Sequence, residues 1–233
     1  WQALTYFLPA YILPSPLRVA LALVHDFPLL YRAILITLFE AMTGFIIAII
    51  FACALALAMH THPRIKALLY PPIIFSQAIP IVAFAPLFVL WFGFGYTPKI
   101  ITVVLICFFP ITVTLTDGLA AVSEPFINMM KTFGASRRAI IRHVQLPSAM
   151  GHLFAGMKIS VAYSIMAAVI GEWLGGDGGI GVYMIRVQRA FALDKMCAAI
   201  CMIVIATGML FVLIRLIQRY CIPWSIQQQE VKK

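Results

Sequence analysis

The stretch Ser123–Pro147, SEPFINMMKTFGASRRAIIRHVQLP, is a polar island between long hydrophobic segments. Ser123 can cap a helix that Glu124 and Pro125 open, because an acid and a proline both suit a first turn. Phe126, Met129, Met130 and Phe133 follow at i, i+3, i+4 and i+7, which places them on one apolar stripe. Gly134 stands where that helix would end in the left-handed conformation. Ala135 and Ser136 follow, with Ser136 placed to cap a second helix. That helix carries Arg137, Arg138 and Arg142 and ends with Leu146 and Pro147. The segment therefore reads as two short helices around a tight turn, with a Met/Phe face suited to a groove on a partner. An amphipathic hairpin lying on anionic lipid through its arginines is the other reading of the same residues.

Composition sets the surroundings of this island. The chain is 63% hydrophobic and 11% charged, with a mean hydropathy of +1.01. A water-soluble fold of 233 residues could not cover so much apolar surface with so little charge, so the bilayer is the expected solvent. The net charge of +9 does not point to nucleic acid, because the cations form no dense patch with interleaved aromatics. Of the five cysteines, four lie in apolar runs, and Cys197 and Cys201, on one helix face at i, i+4, have no His or acid that completes a metal set.

A helix needs about 20 mostly apolar residues to cross the hydrocarbon. Tyr31–Met59, Ala67–Phe92, Lys99–Thr116, Leu153–Leu174 and Lys195–Ile217 meet that requirement. Trp1–Leu13 reads as the end of a first span that begins outside this chain, since no basic region precedes it as in a signal peptide. The expectation is an all-α polytopic membrane protein with six spans, the first truncated. Residues 1–233 form one transmembrane domain, with a loop at about 118–150 between spans four and five. If that loop is cytoplasmic, its side holds ten cations: Arg64, Lys66, Lys131, Arg137, Arg138, Arg142, Arg215, Arg219, Lys232 and Lys233. The other side holds six: Arg18, Arg32, Lys99, Arg186, Arg189 and Lys195. This bias places both termini in the cytoplasm.

Polar groups inside the spans mark the candidate pathway. Glu40 lies within the second span, where a charge costs about 2.5–3.5 kcal/mol or more, so it lines a pathway or makes an interhelical bond. Ser76 and Gln77 stand among the prolines that interrupt the third span, and broken helices occur where they line a cavity or are buried by protein. Trp91 marks an interface or offers a ring to a planar solute. Of Thr112, Thr114 and Thr116, spread over different helix faces, at most one or two, with Thr114 the first choice, can face a pore. Between the last two spans, Gly175-Gly176-Asp177-Gly178-Gly179-Ile180-Gly181 lacks the Lys-Ser/Thr of a phosphate loop. It reads instead as an external turn, with Gly178 and Gly181 leading into a short helix at Val182–Ala192. Glu172 just before it is an external gate or a helix cap. The histidines form no metal-binding set, no nucleophile–base–acid arrangement stands out, and no catalytic residue is expected.

The run Gly134–Pro147 resembles the cytoplasmic signature of binding-protein-dependent ABC transporter permeases. Its Gly134-Ala135-Ser136 and Val144-Gln145-Leu146-Pro147 are at that signature's spacing, although Asn128, Met129 and Met130 replace its Glu-Ala-Ala. IPIVAFAPLFVLWFGFG (79–95), FFPITVTLTDGL (108–119) and GEWLGGDGGIGVYM (171–184) are similar to the subgroup that imports sulfonates, taurine, nitrate and thiamine-precursor pyrimidines, the pyrimidine permeases most of all. The resemblance implies a bacterial inner-membrane permease working as a homodimer. A cytoplasmic ATPase dimer would grip the coupling loop, and an extracytoplasmic binding protein would deliver the solute. ATP and Mg would belong to the ATPase, consistent with the lack of a G-x-x-x-x-G-K-[ST] motif in this chain. An ion-gradient-driven secondary transporter is the competing expectation, and it would call for paired intramembrane acids and two matching halves.

Overall fold

Within hydrocarbon, each backbone N–H or C=O left without a partner costs several kcal/mol, so a chain this apolar satisfies its backbone inside helices. The computed structural model describes residues 1, 2, 5, 13–76 and 79–223, and every regular element among them is helical. Ten α-helices follow in order: α1 Pro16–His25, α2 Phe27–Thr61, α3 Pro63–Ser76, α4 Ala85–Phe92, α5 Tyr96–Ala120, α6 Glu124–Thr132, α7 Arg137–Ile140, α8 Leu146–Gly175, α9 Ile180–Arg189 and α10 Leu193–Cys221. A 3₁₀ turn, Ile81–Ala83, precedes α4, and a π-helical segment, Ile141–Gln145, joins α7 to α8.

Four stretches are long and apolar enough to cross a membrane: Phe27–Thr61, Tyr96–Ala120, Arg137–Gly175 and Leu193–Cys221. The expected third span, Ala67–Phe92, is divided between α3 and α4. Pro71 and Pro72 lie inside α3, so the break comes after Ser76 and not at that proline pair. The expected first span falls largely outside the described residues, as does Gln77. One helix was not foreseen. Ser15 caps α1 by accepting from the Arg18 N–H, and Pro16 fills its first position, where no N–H is needed.

Pro147 corrects an expectation, because it does not end a helix. The chain is helical without interruption from Arg137 to Gly175. A proline in a helix interior removes one hydrogen bond, and its ring strikes the carbonyl four residues back. Here the π-helical turn Ile141–Gln145 lies immediately before it, and that wider turn takes up the strain.

The chain divides into two compact units, and α2, α5, α8 and α10 each contribute residues to both. The first unit comprises Trp1–Gly44, Ile81–Val104 and Ala162–Leu210. Its helices meet through small residues. A Cβ on Gly44 would lie 2.6 Å from Val103 Cβ, and one on Gly171 would lie 3.1 Å from Lys99 Cα.

The second unit comprises Phe45–Pro80, Leu105–Val161 and Phe211–Lys233. Its core includes Ala56, Leu115, Leu119 and Ala149, with Cys53, Leu146 and Leu153 against them. Helices α5 and α8 are tied reciprocally: Ser160 Oγ donates to the Cys107 carbonyl at 3.0 Å, and Cys107 Sγ donates to the Ser160 carbonyl at 3.3 Å. One turn away, a Cβ on Gly156 would run into Thr114 Oγ1 and lie 3.1 Å from Ile111 Cα and 3.2 Å from the Pro110 carbonyl. Two of those neighbours are backbone atoms that cannot swing aside. Gly156→Val should therefore destabilise the purified protein by about 1–3 kcal/mol through overpacking. A lowered melting temperature in detergent is the expected reading, and an unchanged one would remove this crossing from the account.

Candidate functional site

Three groups of predicted residues can now be placed. The first is the segment around Gly134, in the second unit. Helix α6 has no buried residue. Phe126, Met129 and Phe133 are exposed, Phe133 at 79%, and Met130 is half-buried. Ser123 occupies the N-cap position, but its hydroxyl makes no capping bond, so Glu124 and Pro125 carry the helix start. The far end is a Schellman turn. Gly134 has φ +82°, its N–H donates to the Lys131 carbonyl at 2.9 Å, and the Ala135 N–H donates to the Met130 carbonyl at 3.0 Å. Ser136 then caps α7 by accepting from the Ala139 N–H at 3.2 Å. Leu146 and Pro147 are half-buried.

Two contacts that the sequence did not disclose anchor this segment to the end of α2. Arg137 Nη2 donates to the Thr61 carbonyl at 2.7 Å. The His60 Nε2–H donates to Gln145 Oε1 at 2.8 Å, and Gln145 is buried within the π-helical turn. Nothing in the periodicity of either segment could have signalled a contact spanning 85 residues of chain.

The second group is the proposed pathway, whose described residues are divided between the two units. Ser76 Oγ donates to the Ile73 carbonyl of its own helix, and Thr114 Oγ1 donates to the carbonyls of Pro110 and Ile111. Both lie in the second unit. Trp91, in the first, is 63% exposed with its ring near Phe88. Glu40 is fully buried, and its Oε1 accepts from Lys99 Nζ at 2.7 Å. In the sequence Lys99 counts only among the cations of the side opposite the loop. Only 4% of its side chain is exposed, because the acid on α2 draws it in.

The third group lies beside that ion pair in the first unit. Glu172 accepts from Thr37 Oγ1 through Oε1 and from the Gly181 N–H through Oε2, both at 2.6 Å. Thr37 Oγ1 in turn accepts from the Ile180 N–H at 2.9 Å. Glu172 and Thr37 thus satisfy the first free amides of α9. The cap reading of Glu172 is the one its geometry matches. Gly179 has φ +110°, and a Cβ there would strike the Glu172 carboxyl. At Gly181 a Cβ would lie 2.8 Å from Glu172 Oε2. The glycines let the loop close over the acid. Gly178 lines a cavity of about 300 Å³ together with Asp26, Asp177, Tyr183, Arg186 and Lys195.

Asp26, another residue the sequence did not single out, joins the first turn of α9 to the start of α10. It accepts from Lys195 Nζ at 2.8 Å, from the Tyr183 hydroxyl at 2.9 Å and pairs with His25 Nδ1 at 2.8 Å. The Lys195 ammonium above all, with help from His25 and Tyr183, outweighs burial and holds the Asp26 carboxyl down at about 2. Burial first, and the Asp26 charge second, push the Tyr183 phenol up.

These features define a polytopic helical membrane protein with an exposed, structurally anchored helix–turn–helix. Residues 44–226 match the family described as binding-protein-dependent transport system inner membrane component, and the chain belongs to that family. It is 36% identical over 219 residues to a probable ABC transporter permease protein of Haemophilus influenzae, covering 94% of this chain and 89% of that one. It is 31% identical over 219 residues to the formylaminopyrimidine transport permease protein ThiX of Halalkalibacterium halodurans, covering 94% and 88%. A chain in the crystal structure of an amino acid ABC transporter with histidines shares the fold at a TM-score of 0.71 and 16% identity, over 86% of this chain and 97% of that one. The protein is thus an inner-membrane permease component of an ABC importer.

The Asp26 network sets an acid limit. A carboxyl held below its ordinary value of 3.8 contributes stability above that pH and loses it as pH falls toward about 2. Because Lys195 is partly exposed, the contribution is on the order of 1 kcal/mol. Asp26→Asn should melt lower than wild type at neutral pH and show less of the acid-side fall. Parallel melting curves for the two proteins in that window would contradict this role.

Proposed function

We propose that this chain forms the translocation pathway of an ATP-driven importer, taking a small solute from an extracytoplasmic binding protein. Two copies form the pathway, each a single permease domain of six spans with both termini in the cytoplasm. Helices α3 and α4 together make the interrupted third span. A cytoplasmic ATPase dimer holding ATP and Mg engages Phe126, Met129, Met130, Phe133 and the Gly134-Ala135-Ser136-Arg137 turn of each copy. Leu146 and Pro147 continue that segment into α8.

The observation that carries this reading is the exposed Met/Phe stripe of α6, which ends in a Schellman turn hydrogen-bonded to α2. An apolar face on a fixed turn suits a protein groove, whereas a lipid-lying hairpin needs no such anchorage. ATP binding can shift the permease only by favouring one of its conformations, and this anchored turn is the element through which that preference would pass.

For the solute, the formylaminopyrimidine relative favours a thiamine-precursor pyrimidine or a related small planar solute, on which exposed Trp91 can stack. Sulfonate, taurine or nitrate are the alternatives within the same class. Glu40, Ser76, Gln77 and Thr114 remain the pathway candidates, with Glu172, Gly178 and Gly181 on the external side. A second reading, secondary transport driven by an ion gradient, draws on the buried acids Glu40 and Glu172.

The test is co-purification of the detergent-solubilised chain, expressed with its neighbouring genes, comparing wild type with Phe133→Asp. An ATPase subunit bound to wild type and lost from the folded variant is the expected result. Absence of any ATPase from wild type would instead favour the ion-gradient reading.

A further inference from the structure

Around Glu172, one acceptor has no partner. Glu40 Oε1 receives the Lys99 ammonium, but Glu40 Oε2 is buried with no hydrogen-bond partner among the described residues. Glu172 is brought beside it: Thr37, one turn before Glu40 on α2, bonds Glu172 Oε1 at 2.6 Å, and Gly171, next to Glu172, packs against the backbone of Lys99. Glu40 is 0% exposed and Glu172 1%. The groups facing this pair are Thr37 from α2, Lys99 from α5 and the amides of Ile180 and Gly181 from α9. Asp177 lines, with Lys99, Tyr96 and Gly178, a cavity of about 220 Å³ beside them.

Counting charge over this cluster leaves one negative too many. Glu40 and Glu172 bring two, Lys99 one positive, and the Thr37 hydroxyl and the amides of α9 carry no formal charge. Two carboxylates side by side in a water-poor setting do not both stay ionised when one proton can serve them both. We propose that Glu40 and Glu172 form a buried proton-binding site, in which a single proton resides on Glu172 and is donated to Glu40 Oε2. The orphan acceptor is then satisfied and the cluster is neutral. Glu172 keeps its other bonds, because each carboxyl oxygen has two lone pairs and a protonated one can still accept from Thr37 or Gly181.

The consequence is a proton-dependent fastening. Glu172 holds the glycine loop and the start of α9. With the proton in place, it also bonds to α2 through Glu40. With the proton gone, the two carboxylates repel, and the loop is pushed from the helix it covers. The Lys99 cavity, lined by exposed Asp177, offers the proton a way to water. The inference does not depend on which solute is carried.

The test is infrared difference spectroscopy on the complete transporter in lipid nanodiscs, with wild type compared to Glu172→Gln and Glu40→Gln. At neutral pH, wild type should show the carbonyl band of a protonated carboxyl that shifts in heavy water. The band should be lost in Glu172→Gln. It should also be lost in Glu40→Gln, where Lys99 alone balances an ionised Glu172. In wild type, the band and the melting temperature should fall together as pH rises, and the melting temperature of Glu172→Gln should not follow. No such band in wild type, or a band that survives Glu40→Gln, overturns the proposal. Should Glu172→Gln fail to fold, wild type against Glu40→Gln decides it, and the alkaline titration of wild type decides it if neither variant folds.

Discussion

An acid buried on an apolar helix has to be answered by another charge, and much of the first unit is arranged around that requirement. Glu40 sits in an apolar helix of 35 residues that offers it no cation within a turn of it. Lys99 answers it from α5, approaching closely because Gly171 of α8 leaves room beside the lysine backbone. Breaking such a pair by removing one partner costs about 3–5 kcal/mol, since the other charge stays buried. The same cluster extends through Glu172 and Thr37 to the first amides of α9. One polar network thus joins four helices, α2, α5, α8 and α9.

The second unit meets a different constraint. An interaction surface has to be exposed and apolar, yet fixed in orientation. Helix α6 has no fully buried residue, so its own packing holds it weakly. The Schellman turn at Gly134, the Ser136 cap and the bond from Arg137 to the end of α2 set its direction instead. Beyond it, the π-helical turn before Pro147 lets one helical stretch run unbroken from the surface segment through α8. After Ser136 the chain is therefore one continuous helical element, from the exposed segment through α8.

What the sequence disclosed and what it withheld follow from the range of the interactions involved. Hydropathy and the 3.6-residue period are local, so α2, α5 and α10 were visible to within four residues at each end, α8 was visible although it begins seven residues before the expected Leu153, and the turn at Gly134 followed from one glycine after an amphipathic stripe. The split of the third span was legible in its prolines, although its place after Ser76 was not. Pro147 was misread as a terminator because the relief came from a π turn, which has no simple sequence signature. The Lys99–Glu40 and Arg137–Thr61 contacts bridge 59 and 76 residues of chain, beyond any periodicity. Glu172 was noticed only because glycines follow it, and the reason for those glycines, room for its carboxyl, appears in three dimensions alone.

The central claim is that this permease moves its solute with energy supplied through the α6–α7 turn by an ATPase. The most direct measurement is uptake into proteoliposomes containing the chain and its ATPase, with binding protein and labelled solute outside. Uptake that requires ATP at the ATPase face and is indifferent to collapse of ion gradients is the result this account predicts. Uptake that persists without ATP and stops when the ion gradient is dissipated would contradict it.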